Sequence, residues 1–177
     1  MDALKKEDIY TIEDIYALPD GERAELIDGQ IYYMAPPSWM HQRISSFLHN
    51  EIYNYIKKNK GECEVLAAPF AVFLNDDDRN YVEPDISIIC DPSKLDHKGC
   101  HGAPDWIIEI VSPGSKSRDY MTKLFKYRIA GVREYWIVDP DKQMIMVYGF
   151  EKETVEQYHF REEVPVGIYE GFSIKME

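Results

Sequence analysis

The sequence predicts an α/β or α+β protein in which helices flank a central mixed β-sheet. The middle of the chain alternates strand, strand, helix, strand and strand patterns. Asp28-Gly29 separates two apolar runs, which indicates an N-terminal β-hairpin. The chain has 177 residues, of which 45% are hydrophobic and 29% are charged, so we expect one globular domain over 1–177.

The N-terminal third is predicted to hold two helices with the hairpin between them. Asp14 follows Thr11 by three residues, which resembles a capping box at a helix start. Pro36-Pro37-Ser38 precedes a longer run whose apolar residues recur at helical spacing. The predicted elements are a helix over 11–18, strands over 24–27 and 30–34, and a long helix that ends at Gly61.

The rest of the chain is predicted to be mostly strand. The predicted strands are 64–74, divided or bent at Pro69, then 81–90, 105–111, 134–138 and 143–149, with weaker candidates near 155–160 and 168–176. One helix interrupts them over 117–130 and is closed by Gly131.

The charge balance limits the ways in which this chain can bind nucleic acid. Lys and Arg number 20 against 32 Asp and Glu, a net charge of −12. Proteins that hold nucleic acid through phosphate contacts alone are usually basic. A polyanion would therefore need a local basic strip, a bound cation or both. The local cluster of basic residues lies in and around the predicted helix 117–130 and consists of Lys116, Arg118, Lys123, Lys126, Arg128 and Arg133.

The three cysteines and the N-terminal residues give information about the cellular location of the protein. An odd number of cysteines in a chain of this size argues against a disulfide framework and favours the reducing cytoplasm. Residues 1–7 are charged and lack an apolar stretch, so no secretory signal is expected. No apolar run approaches the ~20 residues that span a bilayer. Cys90, His97, Cys100 and His101 lack the paired spacing of a structural zinc site.

Three acidic residues stand in apolar strand patterns, where a charge is costly. They are Glu25, Asp85 and Glu109, and Glu109 has apolar neighbours on both sides. A buried carboxylate needs a partner or a metal, since burying it alone costs several kcal/mol. For Glu25, an ion pair with a basic residue of the hairpin is an equal alternative to an active-site role.

A lysine on the following helix is the candidate partner. Asp119, Lys123 and Tyr127 are spaced four residues apart and form one stripe. The apolar arc of this helix holds Met121, Leu124, Phe125 and Ile129, with Lys123 at its edge. If that arc packs on the sheet, the Lys123 ammonium can reach Glu109.

Metal-assisted hydrolysis of a phosphodiester requires acidic ligands for the metal and a nearby positive charge. The chain offers an Asp, a Glu on the next strand and a lysine on the helix that follows. The carboxylates of Asp85 and Glu109 offer hard oxygen ligands for Mg²⁺ or Mn²⁺. Such a metal polarises the phosphate and lowers the pKa of water. Lys123 would orient the water or offset charge in the transition state, and Glu25 would assist.

Several motifs, matched in order, carry a family resemblance. They are Glu83-Pro84-Asp85, the run 106–113, Asp119 to Lys123, Tyr127 and the run 131–140, with Glu25-Leu26-Ile27-Asp28-Gly29 and His41 upstream. Over nearly the whole chain, the sequence resembles the Uma family of putative restriction endonucleases in the PD-(D/E)XK nuclease superfamily.

The resemblance implies a restriction-endonuclease-like fold, DNA as substrate, and Asp85 and Glu109 as metal ligands. The superfamily pattern puts a lysine two residues after the Glu, but this position is Val111. In the Uma family the lysine comes from the next helix, which points to Lys123. A homodimer is the default expectation for a nuclease that cuts both strands. The alternatives are a catalytically degenerate nuclease fold that acts in binding or regulation, and hydrolysis of RNA or of branched or damaged DNA.

Overall fold

The structure, a computed structural model, describes residues 8–177. The segment 1–7, on which the expectation about a secretory signal rests, lies outside the described residues. The helices are α1 (Ile12–Tyr16), α2 (Trp39–Lys58) and α3 (Leu124–Ala130), with a 3-10 turn at Pro92–Lys94 and a π-helical segment at Arg118–Lys123. Within 8–177, no helix combines the length and the apolar character needed to cross a membrane.

Twelve strands are defined in the described part of the chain. They are β1 (Ala24–Ile27), β2 (Gln30–Tyr33), β3 (Glu64–Ala67), β4 (Val72–Phe73), β5 (Ile86–Ile89), β6 (Cys100–His101), β7 (Trp106–Ile110), β8 (Glu134–Asp139), β9 (Met144–Gly149), β10 (Thr154–His159), β11 (Glu163–Pro165) and β12 (Ser173–Lys175).

Six of these strands form the central sheet, in the order β10-β9-β8-β7-β5-β3. β7 and β8 run parallel, while the other neighbouring pairs run antiparallel. The π-helical segment and α3 connect the two parallel strands, as a parallel pair requires. The predicted class, a mixed sheet with helices and an N-terminal hairpin, is confirmed.

Strand β7 is buried along its whole length and divides the core into two layers. Trp106, Ile108 and Ile110 contribute to the layer that contains the apolar face of α2. Ile107 and Val111 contribute to the opposite layer, beneath α3. Side chains alternate between the faces of a strand, so Glu109 belongs to the layer beneath α3.

Most predicted elements are present, with shorter strands than expected. The run 64–74 divides at Pro69 into β3 and β4, as predicted. The predicted strand 81–90 is regular only from Ile86, because Tyr81 and Val82 make isolated bridges to Leu26 and Val72. The candidate strand 168–176 is reduced to β12, and β11 was not predicted.

The helix over 117–130 turns a different face to the sheet from the one predicted. Met121, Phe125 and Ile129 are 70%, 64% and 62% exposed, so the expected packing of the apolar arc is wrong for these three residues. Only Leu124 of that arc packs against the core. The polar stripe of Asp119, Lys123 and Tyr127 is buried in its place.

The cysteines also differ from expectation, because Cys63 and Cys90 form a disulfide. Glu64 of β3 pairs with Ile89 of β5, and one further step along this antiparallel register brings Cys63 opposite Cys90. The prediction from an odd cysteine count is therefore wrong for this pair. Cys100 remains a buried thiol.

Candidate active site

Asp85 and Glu109 are brought together by the pairing of β5 with β7. Ile86 pairs with Ile108 in an antiparallel register, so one further step places Asp85 opposite Glu109. The backbone N–H of Ile110 donates to Asp85 Oδ2 at 2.7 Å and fixes that carboxylate. Two acids separated by 24 positions in the sequence thus become neighbours at one end of the sheet.

Glu25 approaches the same place from the N-terminal hairpin. Leu26 of β1 forms an antiparallel bridge with Tyr81, which docks the hairpin against the segment that leads into β5. The Glu25 side chain is buried, and its Oε1 accepts a hydrogen bond from the backbone N–H of Glu83 at 3.1 Å. The hairpin therefore supplies a third carboxylate.

Lys123 joins these acids from the helical side of the cluster. Its Nζ donates to Glu109 Oε1 at 2.7 Å and to Glu25 Oε1 at 2.8 Å, and it lies 3.7 Å from Asp119 Oδ1. The predicted approach of Lys123 to Glu109 is confirmed, although the helix achieves it by burying its polar stripe. The pairing of Glu25 with a basic residue is also present, but the partner comes from this helix.

Tyr127 provides a second donor to Glu109. Its hydroxyl donates to Glu109 Oε1 at 2.6 Å, and its ring packs edge-on against Tyr135 with centroids 5.0 Å apart. Both side-chain donors to Glu109 thus engage Oε1. The second carboxylate oxygen, Oε2, is engaged by neither of them.

Burial and neighbouring charges shift the pKa values of Lys123 and Glu109 in this cluster. Burial alone would lower the pKa of the Lys123 ammonium, but Glu109, Glu25 and Asp119 hold it above its usual range. Burial raises the pKa of Glu109 well above its usual range; Lys123 counteracts this rise, while the Asp119, Asp85 and Glu25 carboxylates add to it. Lys123 therefore stays protonated at neutral pH, because three carboxyl groups surround its ammonium.

His41 contacts the cluster from the first turn of α2. Its Nε2 lies 3.1 Å from Asp85 Oδ1, and its side chain is mostly buried. Burial by itself lowers the pKa of His41, but the Asp85 carboxylate and the Ile110 carbonyl raise it above the usual value. His41, named among the family motifs alone, is thus a partly buried neighbour of Asp85. Its spacing in the sequence gave no signal, since Asp85 lies on a distant strand.

Arg118 and Asp119 complete the cluster at the start of the π-helical segment. The guanidinium of Arg118 lies over the ring of Tyr32, 5.0 Å from its centroid. Its Nε is 3.7 Å from Glu25 Oε2, which is beyond hydrogen-bonding distance. Within 8–177, Glu25 Oε2, Arg118 Nε and Asp119 Oδ1 are buried atoms that find no hydrogen-bond partner.

The donor set suits a hard divalent cation in chemistry and in charge. The ligand candidates Asp85 and Glu109 present carboxylate oxygens, the ligands that Mg²⁺ and Mn²⁺ prefer, and the buried acids exceed the buried cations. Among the described residues, no group of three or more His, Cys, Asp and Glu side chains is spaced to hold a metal ion. Mg²⁺ commonly takes only one or two carboxylates and keeps several waters, so two acids are a sufficient protein contribution.

The basic residues around the site are largely engaged by acids of the same chain. The direct pairs are Lys116 with Asp139, Lys126 with Asp28, and Arg133 with Asp105 and Glu151, while Arg128 lies 4.0 Å from Glu153. Their charges are therefore partly neutralised, and the local basic strip expected from the sequence is weaker than the residue count suggests.

All four predicted site residues, Glu25, Asp85, Glu109 and Lys123, lie in one cluster. Sequence reasoning missed the contacts of His41 and Arg118, and it assigned no role to Tyr127 or Asp119 beyond their shared stripe. The stripe was the available signal, because three polar residues at four-residue spacing mark one helix face. Cys90, one of the four residues that lack the spacing of a zinc site, is in the disulfide.

Comparison with known proteins identifies a family model and a curated relative that match this chain. The profile of the Uma2 family, described as putative restriction endonuclease, matches residues 12–177. The chain is 31% identical over 98 residues to the uncharacterized protein slr1290 of Synechocystis sp., a match that covers 55% of this chain and 50% of that protein. The chain thus spans about half the length of this curated relative.

The fold is similar to a crystal structure of a putative nuclease belonging to DUF820 from Anabaena variabilis. The TM-score is 0.71, the identity is 24%, and the similarity covers 89% of each chain. At this identity the comparison establishes the fold and not the chemistry of the site.

Proposed function

Because the chain belongs to the Uma2 family of putative restriction endonucleases, we propose that it is a nuclease that hydrolyses phosphodiester bonds in DNA with the help of Mg²⁺ or Mn²⁺. The observation that carries this proposal is the convergence of Asp85 and Glu109 on adjacent strands with Lys123 bonded to Glu109. Burying the Glu109 carboxylate is costly unless a partner or a metal compensates for the lost hydration.

The proposed reaction is attack of a water oxygen on phosphorus with departure of an ester oxygen. Asp85 and Glu109 would hold the cation, which when bound polarises the phosphate and makes water more acidic. Lys123 would hold the Glu109 and Glu25 carboxylates in place and offset negative charge in the transition state. Because it remains protonated, Lys123 is a poor candidate for the general base.

Calorimetric titration with Mn²⁺ tests the metal site directly. We expect micromolar binding by the wild type that Asp85→Ala abolishes, and metal-dependent cleavage of supercoiled plasmid that follows the same pattern. Asp76→Ala, in the exposed acidic turn, is the control for nonspecific binding to acidic surfaces. Equal Mn²⁺ affinity in the wild type and both variants would overturn the proposal.

A second function, binding or regulation without cleavage, is favoured by one specific observation. Lys116, Lys126 and Arg133 beside the site pair with acids of this chain, and the net charge is −12, so the positive charge available to a phosphate backbone is reduced. This candidate predicts that the acids serve the fold alone. It would be supported if the wild type bound Mn²⁺ no better than Asp85→Ala and left plasmid, RNA and branched DNA intact.

A further inference from the structure

Arg118 is largely buried at the candidate active site, but it makes no hydrogen bond to an acid, unlike Lys126 and Arg133. The nearest carboxylate oxygen, Glu25 Oε2, lies 3.7 Å from its Nε, and both atoms are buried without a hydrogen-bond partner among the described residues. By contrast, Lys116 and Arg133 each reach a carboxylate oxygen within 2.9 Å. Arg118 therefore has unused hydrogen-bonding capacity at the candidate active site.

Tyr32 supports this guanidinium from one side. Its ring lies beneath Arg118 Cζ at 5.0 Å, and it belongs to the same hairpin as Glu25, with which it is paired across the two strands. A cation–π contact of this kind stabilises an arginine side chain and restricts its movement. The Arg118 side chain is 17% exposed, so it is held at the boundary between the cluster and solvent.

A planar guanidinium with unused donors fits a phosphate group. Arginine donates two parallel hydrogen bonds to phosphate oxygens, a geometry that lysine lacks. Glu25 neutralises only part of the Arg118 charge, because the two groups are not hydrogen-bonded. We propose that Arg118, stacked on Tyr32, receives a backbone phosphate of the nucleic acid at this site.

This inference rests on the proposed nuclease function, since it names the group that holds the substrate. The test is binding of a fluorescein-labelled DNA duplex, followed by fluorescence anisotropy over a range of salt concentrations. Ca²⁺ replaces Mg²⁺ in these titrations to neutralise the carboxylates, and gels of the same samples monitor hydrolysis. Arg128→Met is the matched control, because Arg128 is an exposed arginine in the last turn of α3 and has its nearest acid at 4.0 Å.

We expect Arg118→Met to weaken binding at least about tenfold and to reduce the salt slope by about one, the signature of one lost phosphate contact. Arg128→Met should leave both quantities nearly unchanged. Arg118→Lys keeps the positive charge but loses the paired donors of the guanidinium, so its affinity for the duplex should fall between those of the wild type and Arg118→Met. Tyr32→Leu should weaken binding without changing the salt slope, because the charge remains while its support by the ring is lost.

Wild-type affinity in Arg118→Met would overturn the proposal. If that variant does not fold, the lysine and Tyr32 variants decide, and wild-type affinity in both would overturn it. Metal-dependent cleavage that is lost in Asp85→Ala, combined with unchanged binding by the Arg118 variants, would refute the phosphate role alone. A wild type that neither binds nor cleaves nucleic acid would overturn the phosphate role and the nuclease function together.

Discussion

Lys123 Nζ lies 2.7 Å from Glu109 Oε1 in a part of the protein where both side chains are almost completely buried. The same ammonium contacts Glu25, 98 positions away in the sequence. One cation thus links the central sheet, the following helix and the N-terminal hairpin. A group in this position affects the stability of the protein as well as any chemistry at the site.

Replacement of this cation should strongly destabilise the fold. Lys123→Met leaves Glu109 and Glu25 buried without their charged partner, and removal of one member of a buried pair costs about 3–5 kcal/mol. Urea unfolding monitored by circular dichroism measures this loss. Lys126→Met is the control, because its partner Asp28 is exposed and such pairs contribute at most about 1 kcal/mol. Equal stability of Lys123→Met and the wild type would contradict the buried cluster.

The Tyr127 hydroxyl should contribute to stability and to the placement of Glu109. Tyr127→Phe keeps the ring against Tyr135 but removes a buried donor, so we expect a loss of about 1–3 kcal/mol. If the hydroxyl also orients Glu109 for a cation, Mn²⁺ affinity measured by calorimetry should fall in parallel.

Tyr158→Phe is a matched control for this change, since it removes a hydroxyl that bonds to the exposed Glu156. It should alter neither stability nor metal affinity measurably. A Tyr127→Phe variant that behaves like Tyr158→Phe would show that the hydroxyl has no positioning role.

The helix over 117–130 shows where sequence reasoning succeeds and where it fails. Its limits and the Gly131 terminator are predictable from local residues, and Gly131 adopts the left-handed conformation at φ 97° that favours glycine. The orientation of the helix is not predictable in this way. Hydrophobic periodicity places Phe125 on the inward face, but in the structure the Phe125 side chain is exposed. The deciding contacts of Lys123 with Glu25 and Glu109 join three separate elements, and a local pattern does not contain them.

The same limit applies to the strands and the cysteines. Glu109 could be identified because a charge interrupts an apolar strand, but its pairing with Asp85 depends on the order of strands in the sheet. A count of cysteines likewise carries no information about the register that brings Cys63 opposite Cys90.

The observed orientation of this helix predicts that an isoleucine-to-alanine substitution affects stability much less on its exposed face than in the core. Ile129→Ala should change stability by less than about 0.5 kcal/mol, because the side chain is largely exposed. Ile137→Ala, in the fully buried strand β8, should cost about 2–5 kcal/mol. Urea unfolding of the two variants compares them directly. Comparable losses at both positions would indicate that the apolar arc packs on the sheet after all.

The disulfide should make stability sensitive to reductant. Cys63 and Cys90 are separated by 27 positions, and closing a loop of this size in the unfolded chain is worth about 3.5 kcal/mol in the chain-entropy model. We expect the wild type to lose stability of this order on reduction, measured by urea unfolding with and without a phosphine reductant. A Cys63→Ser/Cys90→Ser variant should show no such response. Three alkylatable thiols in the unfolded, unreduced wild type would contradict the disulfide.

Asp139 should make stability depend on pH in the acidic range. Burial raises the pKa of its carboxyl, but Lys116 at 2.9 Å and the Lys142 N–H outweigh burial, so the net pKa is lowered. A carboxyl whose pKa is lower in the folded state stabilises the protein above its unfolded pKa of about 3.9, and this contribution is lost as the pH falls through the folded value. Asp139→Asn should therefore cost about 1–2 kcal/mol at pH 7 and progressively less below pH 4. Urea unfolding of the wild type and Asp139→Asn over this pH range measures the difference in their free energies of unfolding. Asp141→Asn, at an exposed position, is the control. A difference that persists at the lowest pH would contradict the ion pair.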